Sequence, residues 1–185
     1  KLKGDRSLSK RDFLRIIKPL KKFGANFTSN FGKLPIKIQG TSNPKPIIYN
    51  ETRGSAQVKS SVMLAALNTS GETIIKAKKS RNHSELLFKH LKLPIKVEKK
   101  KNHDLIKIKG KKKIPSLNYK IPSDISSCAF FIVLTILSKN SKLKIRNVNI
   151  NPSRIGILHI LKLMGVKIKT INSRKYKGEY IADLI

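Results

Sequence analysis

Leu14, Ile17, Leu20 and Phe23 recur at three-residue intervals, the spacing that puts side chains on one face of a helix. Further on, Ile36 and Ile38 alternate with Lys37 and Gln39, the period of a half-buried strand. This succession of amphipathic helix, short strand, polar turn and second strand comes round three times. It is carried by RDFLRIIKPLKKFGANFTSN with LPIKIQG, by SELLFKHLKLPIKVEKKKNHDLIKIKG and by SRIGILHILKLMGVKIKTINSRKYKGEYIADL. In the second copy Ile106 and Ile108 alternate with Lys107 and Lys109; in the third Ile157, Ile160, Leu161 and Met164 line a helix. The copies begin about 70 residues apart, which is duplication of a sizeable supersecondary module rather than a short solenoid repeat.

Two more helices are expected between the copies. Residues 55–67 carry Val58, Val62, Ala65 and Ala66 and lead to a strand at 72–77; residues 124–137 lead to a strand at 142–146. The resulting order, β-α-β-α-β-β repeated, predicts an α/β fold with mixed sheets. The run Ser126–Leu137 is nearly all apolar beyond its first residues, so that helix is expected to be buried on most sides. Asn151-Pro152 reads as a helix start, a capping side chain followed by proline. Residues 110–122, with a lysine run and two prolines, are the best place for a boundary. It separates a domain of residues 1–121 from the start of a second, similar one at 122–185. The first residues read as loop and the last as strand, so neither end is expected to be a natural domain terminus.

Composition narrows the class. With 185 residues, a sizeable core can form. One cysteine, Cys128, allows no internal disulfide and no multi-cysteine metal site. The four histidines, His83, His90, His103 and His159, lack metal-ligand spacing and read as surface or packing residues. The longest apolar stretch, residues 129–137, is too short for a bilayer, and the first ten residues lack a signal-peptide core, so a soluble, cytoplasmic chain is expected. The formal net charge of +31 raises nucleic acid as a partner. However, 33 of the 41 bases are lysine, there is no tryptophan, and aromatics are 6 % of residues. Base-reading modules lean on arginine and stacking aromatics, so most of this charge is expected to be lysine on tolerant surfaces.

Chemistry concentrates ahead of helices. Gly54, Ser55 and Gln57 stand where a helix begins, with free backbone N–H groups and small polar side chains at its positive end. The plain structural alternative is an ordinary N-cap by Ser55. Ser80 and Arg81 precede another helix, and the planar fork of Arg81 suits phosphate better than lysine would; a solvated surface charge is the bland alternative. Arg6, Lys10 and Arg11 lead into a third. None of the ten acids forms a pair suited to general acid–base work.

The segments GDRSLSKRDF, GSAQVKSSVMLAALNTSGET, KSRNHSELL, IPSDISSCAFF and NVNINPSRIGILHILKLMG together resemble successive motifs of the EPSP synthase (3-phosphoshikimate 1-carboxyvinyltransferase) family, collinearly through nearly the whole chain. The resemblance implies an enolpyruvyl transferase-like fold of two similar domains built from βαβαββ units. It implies transfer of the enolpyruvyl group of phosphoenolpyruvate to the 5-hydroxyl of shikimate 3-phosphate, without metal or organic cofactor, by a protein expected to be monomeric at full length. Carried over by motif, Ser55, Ala56 and Gln57 would contact shikimate 3-phosphate, Arg81 its phosphate with Ser80 as a weaker neighbour, and Arg11 and Gln57 phosphoenolpyruvate. The family's catalytic residues are expected outside these 185 residues, so the isolated chain is expected to bind anions weakly and not to turn over. Asp12 stands where the family has proline, and Ser123 where it has glycine. Two alternatives remain open: a related enolpyruvyl transferase with another acceptor, and a basic nucleic-acid-binding protein.

Overall fold

The computed structural model describes residues 1–111 and 113–185, and its elements follow the hydrophobic periods closely. A one-turn helix α1 (Arg6–Ser9) is opened by Asp5, whose side chain accepts from the Leu8 N–H at 2.7 Å. It is followed by α2 (Leu14–Lys22) and an antiparallel hairpin of β1 (Asn26–Asn30) and β2 (Lys33–Gln39). Ile17, Phe23 and Ile36 are buried here, while Ile38, opposite Phe27 in a sheet of only two strands, stays 42 % exposed.

From Ile48 to Lys109 the βαβαββ order is complete. It comprises β3 (Ile48–Glu51), α3 (Ala56–Leu67), β4 (Glu72–Lys78), α4 (His83–His90), β5 (Ile95–Lys99) and β6 (His103–Lys109). The sheet order is β3-β4-β6-β5, with β3 parallel to β4 and the other pairs antiparallel. Ile75, Ile106 and Ile108 on the sheet and Val58, Val62, Met63 and Ala66 on α3 are essentially inaccessible to solvent. Each large member of that set contributes roughly 1.5–3 kcal/mol of burial.

The chain then repeats the pattern with α5 (Ile125–Leu137), β7 (Ile145–Asn149), α6 (Gly156–Leu163), β8 (Thr170–Tyr176) and β9 (Glu179–Leu184). The sheet order is β7-β9-β8, and Ser123 forms a single parallel bridge to Val148. That bridge holds the place beside β7 that β3 holds beside β4, so the second pass has the same topology with its first strand reduced to one residue. Its core is Ile125, Cys128, Ile132, Val148, Leu161 and Leu184.

Several expectations are corrected. The helix at 124–137 is not buried on most sides: Ile125, Cys128 and Ile132 are inside, whereas Phe130, Phe131, Leu134 and Leu137 are 61–79 % exposed. One sheet can cover only one side of a helix, and no described residue covers the other. For the same reason only Leu161 of the α6 stripe is buried, with Ile160 and Met164 exposed. Asn151-Pro152 opens a turn rather than a helix, and α6 starts at Gly156. The Asn151 side chain closes that turn, its Oδ1 accepting from Ser153 N at 2.9 Å and Ser153 Oγ at 2.7 Å. The strand expected at 142–146 lies at Ile145–Asn149.

The described residues form two compact units, Lys1–Ser80 with Lys92–Ile114, and Arg81–Leu91 with Pro115–Ile185. The segment carrying α4 thus groups with the second unit, although its neighbours in sequence build the first. Of the lysine run at 111–113, Lys112 lies outside the described residues.

Candidate functional site

The start of α3 is built by a buried acid. Glu51, at the end of β3 and 3 % exposed, accepts from the N–H groups of Arg53 at 3.0 Å and Gly54 at 2.8 Å. This folds the chain back tightly. Gly54 sits at φ +72°, in the left-handed region, where a side chain would also come within 3.3 Å of the Lys79 carbonyl. Glycine is therefore demanded by conformation and space together. Ser55 follows as N-cap, its Oγ accepting from Val58 N at 3.3 Å. A helix leaves its first-turn N–H groups without intrahelical partners, so those of Ala56 and Gln57 stand at the positive end of a 12-residue helix. The Gly54–Gln57 stretch thus stands at a helix start, as its sequence predicts.

Gln57 is exposed, and its Oε1 accepts from Arg15 Nη2 at 3.0 Å, tying α3 to α2. A guanidinium can only donate, so the bond fixes the amide orientation and turns the Gln57 NH₂ outward as a donor. Arg15 was not singled out by sequence; its only signal is that it follows Arg11 by four positions. Asp12 accepts from Leu14 N at 2.7 Å and so satisfies one of the first N–H groups of α2. Asp12, Arg15, Lys18, Tyr49, Glu51 and Arg53 line a cleft of about 150 Å³. Burial, then the Glu51 charge, holds the Tyr49 phenol above its usual pKa, with Arg53 pulling the other way. Arg11 is exposed between α1 and α2, and among the described residues no side-chain hydrogen bond joins it to Ser55 or Gln57. Ser80 follows β4, and its hydroxyl oxygen is buried without a hydrogen-bond partner among the described residues.

In the second unit, Arg81 is exposed immediately ahead of α4. The histidine two residues on, His83, which sequence reads as surface or packing, bonds the buried Glu179. Asp124 caps α5, accepting from Ser126 N at 3.3 Å, and pairs with Arg154 at 2.9 Å. Ser123 donates to the Arg146 carbonyl at 3.1 Å. Among the described residues no three or more His, Cys, Asp or Glu side chains gather as a metal site, and no helix is long and apolar enough to cross a membrane.

Residues 1–180 match the family described as EPSP synthase (3-phosphoshikimate 1-carboxyvinyltransferase). The chain is 44 % identical over 182 residues to the 3-phosphoshikimate 1-carboxyvinyltransferase of Ruthia magnifica, covering 98 % of this chain and 41 % of that protein. It is 41 % identical over 186 residues to the enzyme of the same name from Petrotoga mobilis, covering 98 % and 42 %. The solved EPSP synthase of Acinetobacter baumannii superposes with a TM-score of 0.81 at 38 % identity, over 98 % of this chain and 40 % of that one. The enolpyruvyl transferase NikO of Streptomyces tendae shares the fold, with a TM-score of 0.57 at 12 % identity over 91 % of this chain and 41 % of that one. The chain thus spans about two fifths of the length of these relatives.

Proposed function

Since this chain belongs to the EPSP synthase family, we propose that it supplies part of the site that transfers the enolpyruvyl group of phosphoenolpyruvate to the 5-hydroxyl of shikimate 3-phosphate and releases phosphate. The observation that carries this reading is the start of α3. There a glycine turn, a capping serine and a donor-oriented glutamine converge at a positive helix end, within motifs that match the family in order. Both substrates are multiply anionic, and this end offers N–H donors and a helix dipole to such groups.

In this reading Ser55, whose oxygen accepts from Val58 N, keeps its own O–H to donate to shikimate 3-phosphate. Ala56 contributes its backbone N–H, and Gln57 donates through its NH₂ to shikimate 3-phosphate and towards phosphoenolpyruvate. Arg81 forks onto the phosphate of shikimate 3-phosphate, with Ser80 as a weaker contact, and Arg11 holds phosphoenolpyruvate. The 5-hydroxyl oxygen adds to C2 of phosphoenolpyruvate as its own proton leaves and C3 takes up a proton; the tetrahedral adduct then loses phosphate from C2 and a proton from C3, which restores the C2–C3 double bond. The acids Asp12, Glu51, Asp124 and Glu179 are engaged by backbone N–H groups, arginine, asparagine or histidine. In this reading the residues here bind and orient, and proton transfer is assigned to the length that the relatives have beyond this span. Residues 1–121 are read as most of a substrate-holding domain and 122–185 as the start of a second; the bridge at Ser123 supports that border, opening a new βαβαββ pass. We read the full-length protein as a cytoplasmic monomer.

The test is phosphate release by the full-length protein from phosphoenolpyruvate and shikimate 3-phosphate. Arg81→Ala is expected to lower kcat/KM about 10- to 100-fold, the loss of hydrogen bonds to a charged group. Release that proceeds equally with unphosphorylated shikimate would overturn the assignment of Arg81, and no release with either acceptor would overturn the reaction.

A further inference from the structure

We propose that Asn82, His83, Asn151 and Glu179 form a positioning network that holds the start of α4, and through it sets the affinity that Arg81 has for the phosphate of shikimate 3-phosphate. The proposal rests on the reading of Arg81 given above. Asn82 Oδ1 accepts from Asn151 Nδ2 at 2.8 Å, and the same Nδ2 donates to Glu179 Oε2 at 3.0 Å. The other carboxylate oxygen, Oε1, accepts from His83 Nδ1 at 2.5 Å. Asn151 is 1 % exposed and Glu179 is 6 % exposed, so the centre of the network lies out of water, while half-buried Asn82 and His83, whose side chain is 40 % exposed, close it from the start of α4.

Each role in the network is dictated. A carboxylate only accepts, so His83 Nδ1 carries the proton. The Asn151 amide cannot be turned round, because its Oδ1 already accepts from Ser153 N and Oγ. Its backbone N–H is tied in turn to Asn149 Oδ1 at 2.9 Å. Burial alone would raise the Glu179 carboxyl, but the hydrogen bonds from His83 and Asn151 and the His83 charge outweigh it and hold the group below its ordinary pKa. The hairpin that delivers Glu179 is pressed onto α4: at Gly178, φ +93°, an added side chain would lie 2.8 Å from the Leu86 carbonyl.

Asn82 stands at the N-cap of α4 yet makes no capping hydrogen bond with its side chain. That side chain is instead directed into the network, at the residue directly after Arg81. Buried polar networks are costly unless satisfied and rigid once they are. Clamping residues 82 and 83 therefore fixes the backbone from which the Arg81 guanidinium reaches, which lowers the ordering cost of binding.

The experiment measures kcat and both KM values of the full-length protein with Asn82→Leu, Asn82→Asp, Glu179→Gln and Arg81→Ala. Asn82→Leu and Glu179→Gln are expected to raise the KM for shikimate 3-phosphate about 10-fold, the scale of one charge-assisted bond, and to move that for phosphoenolpyruvate less than about 2-fold. Asn82→Asp keeps the accepting oxygen and should restore most of the affinity. Adding Asn82→Leu to Arg81→Ala should cost nothing more. If Arg81→Ala weakens shikimate 3-phosphate while folded Asn82→Leu does not, the network is structural only and the proposal falls. An Arg81→Ala protein with unchanged KM overturns the reading of Arg81 and the proposal with it. Should Glu179→Gln fail to fold, Asn82→Leu, at a half-buried position, decides.

Discussion

At the scale of single residues, the chemistry of this chain lies in pairs that sequence keeps far apart. Arg15 and Gln57 are 42 positions apart, yet one hydrogen bond between them decides which end of the Gln57 amide faces outward. Removing Arg15 lets that amide rotate, at a loss comparable to one hydrogen bond to a charged group. Arg15→Ala in the full-length protein is therefore expected to reduce kcat/KM by about 10-fold. In a double-mutant cycle it should add little to Gln57→Ala, because both changes remove the same oriented donor. Fully additive losses would show that Arg15 acts elsewhere. Ser55 and Gly54 were legible, because an N-cap and a glycine turn leave local marks. Arg15 and Glu51 were not, since an arginine inside a helix and a glutamate ending a strand look like solvated charges until a partner is seen.

At the scale of elements, β9 is held at both ends by carboxylates whose charged form folding favours. Asp183 accepts from Asn147 N at 2.9 Å and Asn172 Nδ2 at 3.0 Å, with Lys144 Nζ at 3.7 Å. The backbone N–H of Asn147, then the Asn172 amide, hold its pKa below the ordinary carboxylate value, as His83 and Asn151 do for Glu179 against burial. For a lowered pKa the unfolded chain binds protons first, so the stabilisation is complete above the ordinary carboxylate range. It is lost as pH falls through that range towards the lowered folded values. The Tm of the full-length protein is expected to change little from pH 7 to about 5 and to drop below about pH 4. Asp183→Asn should shallow that drop while lowering the Tm at pH 7; a drop of unchanged steepness in the variant would count against the role of Asp183. The element order itself was readable because periods of two and 3.6 differ sharply. The slide of β7 from 142–146 to Ile145–Asn149 was not, because register depends on which residues of β9 it meets.

For the whole molecule, two features stand out that a single period cannot interpret: the charge of +31 and the uncovered side of α5. Phe130, Phe131, Leu134 and Leu137 present a contiguous apolar strip, and strips of this kind associate. The 185-residue chain by itself is expected to bind a hydrophobic dye and to self-associate with concentration. Phe131→Ser with Leu134→Ser should reduce both, by dye fluorescence and by light scattering, and unchanged values would contradict this. The order of elements, the internal duplication and the polar start of α3 were determined by the sequence alone, because periodicity, caps and turn residues act over a few neighbours. Only the tertiary structure decided which side of an all-apolar helix is covered, which asparagine reaches Glu179 and which arginine orients Gln57. Those outcomes depend on segments tens of residues apart meeting at hydrogen-bond distance, and no local pattern encodes such a distance.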